Sequence, residues 1–175
     1  ALKEYQLDSD KCLSYITQKK GILTEEERKI IGHSLWGCDK CLDVCPYNQN
    51  IPLNIHEDFK PVLKGNIMET LSFSKNNIPP EWRNSALTWR GLRILKRNSI
   101  INMGNKGNKL YIPILKKELK NPSPILRAYA VWALGQINGK GIINIIEEHY
   151  KGEKDKIVIE EIKNIINKRD LGGVR

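Results

Sequence analysis

Leu95-Lys96-Arg97-Asn98-Ser99-Ile100-Ile101-Asn102-Met103-Gly104 returns 31 residues later as Leu126-Arg127-Ala128-Tyr129-Ala130-Val131-Trp132-Ala133-Leu134-Gly135. It returns after another 31 as Ile157-Val158-Ile159-Glu160-Glu161-Ile162-Lys163-Asn164-Ile165-Ile166. Apolar residues agree in all three copies at Leu95/Leu126/Ile157, Ile100/Val131/Ile162 and Met103/Leu134/Ile165. A partner helix precedes the second and third copies, over 109–120 and 141–150. Asn121-Pro122-Ser123-Pro124 and Lys151-Gly152-Glu153 punctuate the pairs. A 31-residue period of two antiparallel helices predicts a HEAT-like α-helical repeat domain over 86–175. The competing explanation is a chance match inside an ordinary helical bundle, and either way the segment is all-α. The tail 171–175 reads as frayed.

Working outward, 63–85 reads as a connecting segment with a short helix around Met68–Phe73 and a turn at Ile78-Pro79-Pro80. Residues 12–20 read as a short helix stopped by Gly21. Thr24-Glu25-Glu26-Glu27 is a capping box, in which the hydroxyl accepts from the backbone three residues on and Glu27 reaches back. The helix it opens runs to about Ile31 and ends at Gly32. Pro46 cannot continue a helix, so 46–62 reads as a surface loop.

The 175 residues carry 29 Lys+Arg against 20 Asp+Glu, a net charge of +9. That excess is local. Arg90, Arg93, Lys96, Arg97, Lys106, Lys109, Lys116, Lys117, Lys120 and Arg127 stand in 86–127 against Glu118 alone, so this window by itself carries the +9. A neutral protein with one concentrated basic segment suggests a polyanion partner. Solvated lysines on helices explain the same count without a partner. No apolar run approaches the roughly 18 residues that span a bilayer, so no membrane association is expected. No charged-then-apolar leader opens the chain, so the expected compartment is the cytoplasm.

All four cysteines, Cys12, Cys38, Cys41 and Cys45, lie in the first part, spaced C-x25-C-x2-C-x3-C-P. A disulfide framework needs an oxidising compartment. A structural zinc site usually takes two well-separated C-x2-C knuckles, and one is present. The third reading is an iron–sulfur cluster, because C-x2-C-x3-C-P is the back end of the bacterial ferredoxin run, and soft thiolates suit such clusters. In that run the fourth cysteine ligates the other cluster of a pair. Cys12, Cys38 and Cys41 would then hold one cluster and Cys45 would belong to a second, which looks like half of a two-cluster ferredoxin module. The fold expected is mainly α: a partial ferredoxin-like iron–sulfur segment over 1–62, the connector 63–85, and the HEAT-like domain.

Three stretches carry a family resemblance: Leu7-Asp8-Ser9-Asp10-Lys11-Cys12-Leu13-Ser14-Tyr15-Ile16-Thr17, Ile31-Gly32-His33-Ser34-Leu35-Trp36-Gly37-Cys38-Asp39-Lys40-Cys41-Leu42-Asp43-Val44-Cys45-Pro46-Tyr47-Asn48, and 95–105. The sequence resembles the C-terminal part of epoxyqueuosine reductase. The resemblance implies a cobalamin and two [4Fe-4S] clusters, and a fragment lacking the N-terminal cobalamin-binding catalytic domain, inactive alone. It implies electrons from a donor such as a flavodoxin or ferredoxin, and reduction of epoxyqueuosine to queuosine at the tRNA wobble position. Cys12, Cys38 and Cys41 match ligands of one cluster and Cys45 a ligand of the other. No catalytic residue is expected in this chain, and in the fragment a cluster is easily lost.

For a tRNA anticodon stem-loop the candidate contacts are Arg90, Arg93, Lys96, Arg97, Lys106, Lys109 and Arg127. Positions 90, 93 and 97 share a helical face, and Arg127 is the repeat equivalent of Lys96. Trp82, Trp89 and Tyr111 are candidates to stack an unpaired base, and Trp36, Leu42, Val44 and Tyr47 to shield a cluster. His33, His56 and His149 take no role. Two alternatives from other classes are a ferredoxin-like electron-transfer protein whose HEAT scaffold docks a protein, and a zinc-stabilised helical scaffold.

Overall fold

The computed structural model describes residues 1–50, 66–83, 85–137, 139 and 141–172. It is mainly α-helical among these residues. Strands β1 (Leu2–Lys3) and β2 (Gln6–Leu7) pair antiparallel, with Leu2 opposite Leu7. Helices α1 (Leu13–Gln18), α2 (Glu25–Ile31) and α3 (Lys40–Asp43) follow, then α4 (Ile67–Ser72) and α5 (Pro80–Arg83). The larger half is α6 (Leu92–Lys106), α7 (Ile112–Glu118), α8 (Pro124–Gln136), α9 (Ile142–Tyr150) and α10 (Lys156–Gly172).

The three sequence copies fall on α6, α8 and α10, with α7 and α9 between them. Helix α8 is central and packs on α6, α7, α9 and α10. Ile100, Met103, Val131, Leu134 and Ile162 are fully buried, and Ile165 nearly so. The pattern breaks once: Ile157, in the first turn of α10, is 41% exposed. Two glycines at equivalent repeat positions explain the close approach of successive helices. A Cβ on Gly104 would stand 2.7 Å from the Trp132 ring and 2.9 Å from the Ala133 Cα. On Gly135 it would stand 2.6 Å from Ile165 Cδ1. In both places a side chain is excluded because the next helix occupies its volume.

The first part docks on α6 through hydrogen bonds in a largely buried seam. A helix leaves its last carbonyls without partners, and here α6 supplies the donors. Arg97 Nη2 donates to Thr17 O (3.1 Å) and its Nη1 to Lys19 O at the end of α1. Asn98 Nδ2 donates to Thr17 O and Leu35 O, both at 2.8 Å. Asn102 Nδ2 reaches Ser34 O (3.0 Å), and Asn105 Nδ2 reaches Arg28 O (2.9 Å) and Gly32 O (3.0 Å). Asn98 and Asn102 are fully buried.

Arg28 fastens the other side. It pairs bidentately with Glu161 (2.8 and 2.9 Å) and donates from Nε to Leu23 O. Its guanidinium lies over the rings of Tyr129 (4.9 Å) and Trp132 (5.4 Å). The Tyr129 hydroxyl accepts from Leu23 N at 2.7 Å. Burial, foremost, pushes the Tyr129 phenol pKa up, so it stays a neutral partner.

Several local expectations hold. The capping box is formed at Thr24, with Glu27 N donating to Thr24 Oγ1 (3.2 Å) and Thr24 N to Glu27 Oε2 (2.8 Å). Gly32 closes α2 at φ 54°. Others shift. Cys12 is the residue before α1, not its first turn. The segment 109–120 divides into a 3₁₀ turn, Lys109–Tyr111, and α7. The turn at Pro79-Pro80 opens a helix, α5, because proline is favoured in a first turn. Helix α10 takes in Leu171 and Gly172 from the expected tail, and 173–175 lie outside the described residues, as do 51–65 of the expected loop and connector. No helix among the described residues is long and apolar enough to cross a membrane.

Two outcomes are expected. Gly104→Ala should cost ~2 kcal/mol or more in urea unfolding, and Gly135→Ala less, because Gly104 meets backbone while Gly135 meets a side chain that can shift. The second concerns Glu153, which pairs with Arg127 through two contacts (2.7 and 2.9 Å) and accepts from Lys154 N and Asp155 N. The Arg127 guanidinium, foremost, holds its carboxyl down from 4.5 to about 2. A depressed carboxyl stabilises the fold above its unfolded pKa and loses that contribution as pH falls from about 4.5 toward 2. Glu153→Gln should therefore lower stability at neutral pH and flatten the acid limb of a stability–pH profile across that window.

Candidate functional site

The four cysteines sit on tight turns at one end of the chain, and all four thiols are free. Cys12 lies between the 3₁₀ turn Ser9–Lys11 and α1, held by Cys12 N donating to Ser9 O (3.0 Å). Cys38 follows Gly37, whose φ of 69° turns the chain into α3. Gly37 N donates to Thr17 Oγ1 at 3.0 Å, which ties the approach to Cys38 onto the helix that starts after Cys12. Cys41 lies in α3 and is exposed, and Cys45 precedes Pro46 at the head of the 3₁₀ turn Pro46–Asn48. Asn48 Nδ2 donates to Leu42 O (3.1 Å) and closes that turn.

Four accessible thiols on short turns suit the donor chemistry of an iron–sulfur cluster. Among the described residues no three His, Cys, Asp or Glu side chains already converge as a metal-holding group. Of the apolar residues expected around a cluster, Trp36 packs on the Phe73–Trp82 core. Leu42 (53%), Val44 (72%) and Tyr47 (90%) face solvent.

The basic residues divide sharply. Arg90, Arg93, Lys106 and Lys109 are exposed, and Lys96 is half-buried. Arg97 is 2% exposed with its donors committed to Thr17 O, Lys19 O and Asn98 Oδ1. Burial pushes its guanidinium below the usual arginine value. Its expected place in the phosphate-facing row is corrected, since it has turned inward to fill the seam. Arg127 is likewise engaged, by Glu153 and by Asn121 O (2.9 Å), so it does not extend the row.

A cavity of about 650 Å³ opens beside the start of α6, and the basic side chains around it are Lys20, Lys75, Arg83, Arg90, Arg93 and Arg97. No acidic side chain lines it among the described residues. A second cavity, lined by Cys12, shares Lys20 and Arg90 with the first. Lys20, Lys75 and Arg83 escaped the charge-window reading because they join the cavity only through the tertiary fold. No local spacing marks them.

Residues 1–48 match the family described as a 4Fe-4S double cluster binding domain. An epoxyqueuosine reductase of Bacillus cereus is 37% identical over 161 residues, 90% of this chain and 42% of that protein. An uncharacterized protein of Geobacillus stearothermophilus is 35% identical over 93% of this chain and 76% of its own length. A crystal structure of epoxyqueuosine reductase with a tRNA-Tyr epoxyqueuosine-modified stem loop superposes with a TM-score of 0.86 at 31% identity, covering 93% of this chain and 44% of that one. The chain thus spans less than half the length of the reductases it matches. The expectation of a C-terminal part left with half an iron–sulfur module and defined by a missing catalytic domain gives way to these matches. The double-cluster domain is matched within the chain itself, over the residues that hold all four cysteines. In sequence and in backbone, over nine-tenths of its length, this chain is similar to part of the epoxyqueuosine reductases.

Proposed function

We propose that the chain supplies cluster ligands and an RNA grip for the reduction of epoxyqueuosine to queuosine at the wobble position of tRNA. The observation that carries this reading is the seam. The segments next to Cys12 and Cys38 are tied by hydrogen bonds at Thr17, Ser34 and Leu35 to helix α6, and at its start Arg93, with Arg90 on the turn before it, faces solvent. Cys12, Cys38 and Cys41 would ligate one [4Fe-4S] cluster and Cys45 a second. The clusters would pass electrons singly from a flavodoxin- or ferredoxin-like donor, and cobalamin would supply the reducing chemistry at the epoxide. The protein's own part is to hold thiolates on rigid turns and to seat the RNA.

The paired helices from α6 to α10 form a HEAT-like repeat domain in this reading, and Arg90, Arg93, Lys96, Lys106 and Lys109 face the phosphates of an anticodon stem-loop. Support comes from the 31-residue period, the exposure of Arg90, Arg93, Lys106 and Lys109, and the relative crystallised with a tRNA stem loop. The cytoplasm, where four thiols stay reduced, is the compartment that suits the site.

Anaerobic reconstitution with iron and sulfide should give the visible absorption and reduced-state paramagnetic signal of a cluster. Cys38→Ser and Cys41→Ser should lose it, and a colourless zinc-loaded product would refute the cluster assignment. Binding of a tRNA stem-loop should weaken as salt rises. Arg93→Ala should lower the slope of log K against log salt by about 1 without lowering the melting temperature. Unchanged slopes in Arg90→Ala and Arg93→Ala would refute the RNA surface.

A further inference from the structure

Of the three aromatic side chains considered for stacking, the fold leaves one in solvent. Trp82 is 4% exposed and meets Phe73 edge-on at 5.2 Å between ring centroids. Tyr111 packs against the main core. Trp89 is 69% exposed.

Trp89 is not on a loose loop. Thr88 Oγ1 donates to Arg83 O (3.0 Å), Ser85 Oγ to Trp82 O (2.7 Å), and Gly91 N to Thr88 O (2.8 Å). Gly91, at φ 92°, then turns the chain into α6. The turn thus holds a large flat ring outward just before the helix start. The Arg90 guanidinium lies 5.0 Å from the ring centroid, and the same side chain lines the basic cavity. Lys20, Lys75, Arg83 and Arg93 around that cavity have no ion-pair partner among the described residues. A flat apolar surface beside a cluster of unpaired cations is complementary to a ligand with one aromatic face and an adjoining anion.

We propose that Trp89 and this cavity together seat one unpaired nucleotide, its base stacked on the Trp89 ring and its phosphate held by Arg90, Arg93 and Lys20. The assignment rests on the RNA-binding reading and goes beyond it. Phosphate contacts alone accept paired and unpaired strands alike, whereas stacking on an exposed ring demands a base free of its helix. The surface therefore selects a loop or a flipped base over a duplex.

The test compares a tRNA stem-loop with a blunt RNA duplex of equal length, against the full chain and its variants. Trp89→Ala should weaken stem-loop binding about tenfold, leave duplex binding and the salt slope unchanged, and keep the parent's melting temperature. Trp89→Phe should restore most of the loss. The stem-loop should quench tryptophan fluorescence in the parent and not in Trp89→Phe. Parent-like stem-loop binding by Trp89→Ala, with Arg93→Glu still weakened, would overturn the nucleotide seat and leave the RNA surface standing. Equal losses on loop and duplex would also overturn it. A parent chain that binds neither RNA would overturn both.

Discussion

Carbonyl groups at the end of a helix must find donors once water is excluded. That requirement organises this protein. Helices α1 and α2 and the 32–35 turn all point carbonyls at α6, and α6 answers with Arg97, Asn98, Asn102 and Asn105. An orphaned buried carbonyl costs about 1–3 kcal/mol, so such a seam tolerates neither a slide nor a rotation. An apolar seam would accept several registers at similar energy. A row of amides matched to particular oxygens accepts one.

What depends on that register is the relation between the cysteine turns and the cationic start of α6. Gly37, one residue before Cys38, is tied to Thr17, and Thr17 is tied to Arg97 and Asn98. A short covalent and hydrogen-bonded path thus connects the turn at Cys38 with the helix that carries Arg93. Arg28 and Glu161 brace the same arrangement from α10. Arg28 is satisfied at once by Glu161, Leu23 O and the faces of Tyr129 and Trp132, which offsets the cost of burying its charge.

Much of this was legible beforehand. The 31-residue period placed α6, α8 and α10, since apolar spacing records burial directly. The Thr24 capping box and the Gly32 stop are local chemistry and were read from neighbouring residues alone. The spacing of the cysteine run by itself points to soft-metal chemistry. The failures have a common cause. Arg97 and Arg127 count as positive charge in any window, yet one is a buried hydrogen-bond donor and the other is engaged by Glu153, 26 residues along. Whether a cation faces water or a carbonyl depends on partners far along the chain, and spacing holds no record of them. The same limit hid Lys20 and Lys75. The helical-face argument at 90, 93 and 97 was also defeated, because α6 begins at Leu92 and Arg90 precedes it on a turn.

Gly104 lets the α6 backbone lie directly against the α8 backbone at Ala133, and Gly135 lets the α8 backbone lie against the Ile165 side chain of α10. Side-chain volume varies with every substitution, and backbone thickness does not. The approach of α6 to α8 is thereby insulated from changes elsewhere in the core: neighbouring apolar residues can exchange for others of similar size without altering it. Two absent methyl groups act as the gauge blocks of the scaffold.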